Sequence, residues 1–144
     1  MDRRIKLPSQ DPQSAIPQSE ILMDFADELI TIANRIEGCA AVMILGTDGI
    51  PIERHVQQMN QSLDVEMIAT EFTTLVRRGM RTAADTELGD LREMVLATDA
   101  MIFLARPITS DYFLLVALNP GGNIGRARFE LRKAQLAMEI EFAM

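Results

Sequence analysis

Three stretches of this chain are apolar at consecutive positions: Ala40 to Leu45, Ala100 to Ala105 and Tyr112 to Leu118. Successive side chains of a strand point to opposite faces, so such runs leave no face for water and must be covered on both sides. They belong in the middle of a sheet. Two other extended stretches differ. Ile50 to Val56 carries Pro51, Glu53, Arg54 and His55, and residues 88–97 carry Asp90, Arg92 and Glu93. Proline lacks a ladder donor and charge discourages pairing, which places both at the edges. Gly46-Thr-Asp-Gly49 makes a hairpin of strands one and two. Thr98-Asp99 and Pro107-Ile-Thr-Ser110 join strands 88–97, 100–106 and 111–118 into a meander. Only the order 2-1-5-4-3 then keeps strands two and three outside.

Helical periodicity supplies the covering layers. Leu22, Phe25, Leu29, Ile32 and Ile36 share one face of a helix over 19–36, capped by Ser19 and stopped by Gly38. A second helix over 64–84, capped by Asp64 or Ser62, turns Ile68, Phe72, Leu75, Val76, Gly79 and Ala83 inward. Gly79 costs about 1 kcal/mol relative to alanine in mid-helix; it marks either close approach by another backbone or a tolerated weak spot. Asn123 caps a third helix that turns Ile124, Ala127, Leu131, Ala134, Met138 and Phe142 inward. The expected fold is α/β, in the order α-β-β-α-β-β-β-α: a five-stranded mixed sheet with helix two on one face and helices one and three on the other. This domain occupies 19–144. Residues 1–18, with three prolines between Leu7 and Pro17, read as a disordered tail; Ile5, Leu7 and Ile16 would be the anchors if it docked instead.

The chemistry is sparse. The chain has one cysteine and one histidine among 144 residues, a net charge of −7 and a pI near 4.7. A single cysteine forms no intrachain disulfide, and an acidic chain is poorly suited to non-specific nucleic-acid binding. No apolar run approaches the roughly 18 residues of a spanning helix, and Met1 to Gln10 shows no secretory signal, so a cytoplasmic protein without membrane insertion is expected. Cys39 reads as a small buried hydrophobe and His55 as a surface residue. Gly121-Gly-Asn-Ile-Gly125 lacks the Lys-Ser or Lys-Thr of a phosphate loop and reads as a strand-to-helix turn. No catalytic, metal or cofactor constellation emerges, and no enzyme is expected.

What remains is surface. Arg77, Arg78 and Arg81 cluster late in helix two, either complementing the helix dipole or offering a docking site for an acidic partner. Arg126, Arg128, Arg132 and Lys133 with Glu130, Glu139 and Glu141 read as a solvated face of mixed charge on helix three. Strand three, long and free of proline, is the edge better suited to pairing with a second copy. A symmetric dimer would lay the two copies of helix two alongside, bringing Met67, Thr70, Thr74, Leu91, Arg92, Met94, Val95 and Leu96 to the interface.

The segment Ile36-Glu-Gly-Cys-Ala-Ala-Val-Met-Ile-Leu-Gly-Thr-Asp-Gly-Ile-Pro-Ile52 resembles the opening of a Roadblock (dynein light chain) domain, and Gly122-Asn-Ile-Gly-Arg-Ala-Arg-Phe-Glu-Leu-Arg-Lys-Ala134 is similar to that family's last helix. The resemblance covers about 19–142. It implies the same strand order, homodimers made through helix two and strand three, and work as a regulator or scaffold for Ras-like small GTPases. In the MglB-like branch the homodimer stimulates GTP hydrolysis without an arginine finger of its own, so Arg77, Arg78 and Arg81 would be contacts. The competing expectation is a small-molecule sensor or adaptor domain of profilin-, PAS- or GAF-like architecture; the sensor needs a cavity lined by polar groups.

Overall fold

The computed structural model describes residues 24–143. Helix α1 spans Phe25–Arg35, and Asp24 caps it by accepting from the backbone N–H groups of Ala26 and Asp27. The expected Ser19 cap and the tail over 1–18 lie outside the described residues. Strands β1 (Cys39–Gly46) and β2 (Pro51–Val56) follow as a hairpin, and then a short 3-10 turn (Gln58–Asn60) leads to α2 (Val65–Asp85). The cap of α2 is Asp64, which accepts from the N–H of Met67 at 3.0 Å. Strands β3 (Met94–Ala97), β4 (Ile102–Pro107) and β5 (Tyr112–Leu118) lead to α3 (Ile124–Ala143). Asn123 caps α3 through the N–H of Arg126, 2.9 Å away.

The sheet has the expected order, β2-β1-β5-β4-β3. Every neighbouring pair is antiparallel, which corrects the mixed sheet. The α2 crossover does join two strands of the same direction, but it carries the chain from one edge to the other, so they never become neighbours. In the centre Val42 lies opposite Val116 and Ile44 opposite Leu114, facing one side; Met43 opposite Leu115 and Leu45 opposite Phe113 face the other. The first set packs under Leu29 and Ile32 of α1 and Leu131 and Met138 of α3. The second packs under Phe72 and Val76 of α2. Two separate cores result, one per face, as the doubly apolar strands require.

Strand β3 departs from expectation. It holds four residues rather than 88–97, and is shorter than β2 with its six. The reason lies at the end of α2. The chain leaves the helix through Glu87 at φ 56, whose N–H returns to Ala84, while the N–H of Leu88 returns to Ala83. Gly89 at φ 98 then turns it again. The backbone comes alongside β4 only at Met94, which pairs with Ala105. Gly79 also differs: a Cβ there would stand 2.7 Å from Met94 Sδ and 3.3 Å from Leu91 Cδ2. Side chains, not another backbone, make the close approach.

Candidate functional site

Residues 67, 70, 74, 77, 78 and 81 recur at three- and four-residue steps and form the outer stripe of α2, opposite buried Phe72, Thr73 and Val76. Met67, Thr70, Thr74, Arg77, Arg78 and Arg81 are all exposed. The two threonine hydroxyls are turned back onto the helix, donating to the carbonyls of Glu66 and Thr70. Thr74, Arg77, Arg78 and Arg81 line a shallow groove of about 310 Å³. Among the described residues none of the three arginines makes an ion pair, whereas Arg54, Arg126, Arg128 and Lys133 each have a carboxylate partner. Helix α2 runs to Asp85 and its last turn holds no basic residue. The dipole acts mainly within that last turn, so it accounts poorly for Arg77 and Arg78, two turns from the end.

Beside this stripe lies the outer edge of β3. Val95 and Leu96 are each 43% exposed. Leu91 and Met94 are half-buried against α2, in the chain's own second core. Exposed Arg92 lies on the rim of a cavity of about 680 Å³ between α2, residues 87–92, the β4–β5 turn and α3. This cavity exists because β3 is short, and sequence reasoning missed it. On its α3 wall, Arg106 Nε donates to Gln135 Oε1 at 2.5 Å, and Gln135 Nε2 donates to Glu139 Oε2 at 2.7 Å. Burial, with Arg132 adding to it, lowers the Arg106 pKa, although the guanidinium stays charged.

The mixed-charge face of α3 needs one correction. Glu130 is not solvated: it is 1% exposed, with Arg126 Nη2 at 3.0 Å, Lys133 Nζ at 3.3 Å and Arg35 Nη1 at 3.7 Å. Its Oε2 takes the Arg126 charge without an aligned hydrogen bond. One carboxylate thus ties the end of α1 to the start of α3 and leaves a surplus of positive charge there.

His55 sits half-buried on β2, its Nε2 2.9 Å from Gln57 Oε1. Cys39 opens β1 with its thiol buried, Sγ 3.7 Å from the Ala41 carbonyl. Both are on the β2 side of the sheet, away from the cavity beside β3. Among the described residues no group of three His, Cys, Asp or Glu side chains could hold a metal ion, and no helix is long and apolar enough to cross a membrane.

Burial pushes the Cys39 thiol up to about 12, against an opposing contribution from the Ala41 backbone. A raised thiol pKa means the folded state holds the proton more tightly than the unfolded chain. The resulting stability is fully present below the unfolded value near 9 and is lost as pH rises toward 12. Native protein should therefore resist iodoacetamide at pH 8 and react on denaturation, and its urea midpoint should fall as pH is raised above 9. Mass spectrometry of the alkylated chain checks this; equal labelling of native and denatured protein would place the thiol in solvent.

No protein-family model and no curated protein matches the chain. Solved structures do. It is similar to MglC from Myxococcus xanthus at 28% identity, over 83% of this chain and 99% of that one, with a TM-score of 0.59. The Roadblock/LC7 domain from Streptomyces avermitilis matches at 14% identity over 85% of this chain and 99% of that one, with a TM-score of 0.72. Myxococcus xanthus MglB matches at 14% identity over 84% and 98%, with the same TM-score. These last two speak for the fold. The segments that carried the resemblance, 36–52 and 122–134, build β1 with the turn into β2 and the first half of α3, and the chain has a Roadblock-like fold.

Proposed function

We propose that this chain is a non-catalytic, cytoplasmic regulator or scaffold for a Ras-like small GTPase. It works as a homodimer built through α2 and the β3 edge, and it contacts the GTPase through Arg77, Arg78 and Arg81. The observation that carries this is the row of three unpaired arginines around one groove on α2, next to a bare strand edge. A two-fold across β3 would set two such rows side by side, a doubled cationic surface on an acidic protein. GTPase loops change with nucleotide state, and a regulator acts only through a difference in affinity between states. Stimulation of hydrolysis would follow from holding those loops, with no group donated by this chain.

The test is binding of a small GTPase captured by the native protein, loaded with GTP or GDP, at low and moderate salt. Parent protein should prefer the GTP form. Reversing Arg78→Glu and Arg81→Glu together should slow association roughly tenfold at low salt and flatten the salt dependence, since rim charges act mainly on encounter. Unchanged affinity and salt response in the double variant would move the docking surface off α2.

A second reading, a small-molecule sensor, draws on the 680 Å³ cavity with Arg92, Arg106, Thr109 and Ser110 on its lining. It ranks behind because Arg106, Gln135 and Glu139 already satisfy one another across the α3 wall.

A further inference from the structure

Helix α3 is apolar on two opposite sides. Ala127, Leu131, Ala134 and Met138 are buried against the sheet. On the far side Phe129, Leu136 and Ile140 stand 53%, 59% and 65% exposed, at steps of seven and four that keep them in one line. A soluble helix normally carries one apolar stripe. Phe129 is also held in place: Arg126 and Lys133 lie over its ring, 5.4 and 5.2 Å from the centroid, while both reach Glu130 beneath. The charge flanking this second stripe is divided along the helix. The exposed basic residues fall between 126 and 133, where the one acid, Glu130, is buried, and acidic ones at 139 and 141.

We propose that this outer face of α3 is a self-association surface, on which two copies of the chain pack α3 against α3 in antiparallel orientation. Antiparallel packing sets the basic half of each helix against the acidic half of the other, and a two-fold makes every such contact twice. Phe129 of each copy then lies near Ile140 of the other, with Leu136 near the axis. Arg132 and Glu139, on the same flank of the stripe, come opposite one another across the pair. Parallel packing would oppose like charges over the basic half, and an acidic partner chain would leave Glu139 facing its own sign. The contact is confined to one helix of 20 residues, about 30 Å long. It is therefore a weak interface that fills at high concentration. It lies on the opposite sheet face from α2 and does not depend on the GTPase reading.

Sedimentation velocity of the full chain from about 10 to 300 µM, at and above the micromolar weak end of interface affinities, should show a concentration-dependent species beyond that seen at the dilute end. Ile140→Asp should abolish it with an unchanged circular dichroism spectrum. Arg132→Glu and Glu139→Lys should each abolish it too, because each sets like charges face to face. An equimolar mixture of those two variants should restore it, each supplying the charge the other lacks. A flat sedimentation coefficient for the parent, or a mixture that associates no better than either variant alone, would overturn the proposal and give the face to another occupant, such as residues 1–23. Repeating the series in a chain disabled at the β3 edge separates this contact from the dimer proposed above: association through α3 should survive there.

Discussion

Gly38→Ala should be the most damaging single-methyl change in the chain, at roughly 3 kcal/mol or more of folding stability. Gly38 holds φ at 82, where an L side chain is strained. An added Cβ would also stand 2.6 Å from Gly122 Cα and 3.3 Å from Gly122 N. Neither backbone can yield, because the two segments are laced together. The Asn119 N–H donates to the Gly38 carbonyl at 2.8 Å, and the Asn123 N–H to that of Glu37 at 3.0 Å. This glycine-on-glycine contact sets the exit of β5 and the start of α3 against the entry to β1. Gly49→Ala is the control: φ is 94 there, but nothing lies within 4 Å of the new methyl, so about 1 kcal/mol of strain is expected alone. Urea unfolding of both variants measures the difference. Equal losses would show that the contact with Gly122 relaxes freely.

The second large effect is expected at the β3 edge. Successive residues of an antiparallel strand turn their N–H groups alternately to the two sides. Of Val95 and Leu96, one therefore donates into the sheet toward β4 and the other donates outward. Proline at the inward position should lower thermal stability by removing a ladder bond. Proline at the outward position should leave the fold nearly intact and convert a dimer at micromolar concentration into a monomer. Light scattering and thermal melts on Val95→Pro and Leu96→Pro together read both outcomes. A parent protein that is monomeric at that concentration, or two prolines that cost stability alone, would remove β3 from the dimer. With four residues the strand offers few outward bonds, so the stripe of Met67, Thr70 and Thr74 on α2 must supply much of any such interface.

The sheet order was legible because strands with no wet face have few places to go: β1, β4 and β5 are central, and their burial in the structure follows the runs of consecutive apolar residues. Strand direction was not legible, since nothing local to a strand records the heading of a neighbour more than sixty residues away. The end of α2 falls within a residue of the expected 84, but the start of β3 was not legible, because Glu87 adopts a left-handed conformation usually reserved for glycine or asparagine. With the chain turned there and again at Gly89, Asp90, Arg92 and Glu93 never enter the strand. Glu130 was misplaced for a different reason. The inward face of α3 was read correctly, but Glu130 lies at its border, and only the packed structure brings Arg35 of α1 to it beside Arg126 and Lys133. The arginines of α2 could be named from sequence, but that they stand unpaired around one groove required the packed structure.

The central seam of the sheet has a consequence for how the chain reaches this state. Hairpin β1–β2 and meander β3–β4–β5 are each made of near neighbours in sequence. The pair that joins them, β1 with β5, closes a loop of roughly 70 residues, from Gly46 opposite Tyr112 to Cys39 opposite Leu118. Both cores straddle that pair, Val42 with Val116 on one face and Met43 with Leu115 on the other. Neither can be half-built on one side of the seam. The longest-range contact in the sheet is thus the one on which burial on both faces waits, an arrangement of high contact order that sets an entropic barrier in front of nearly all the apolar gain.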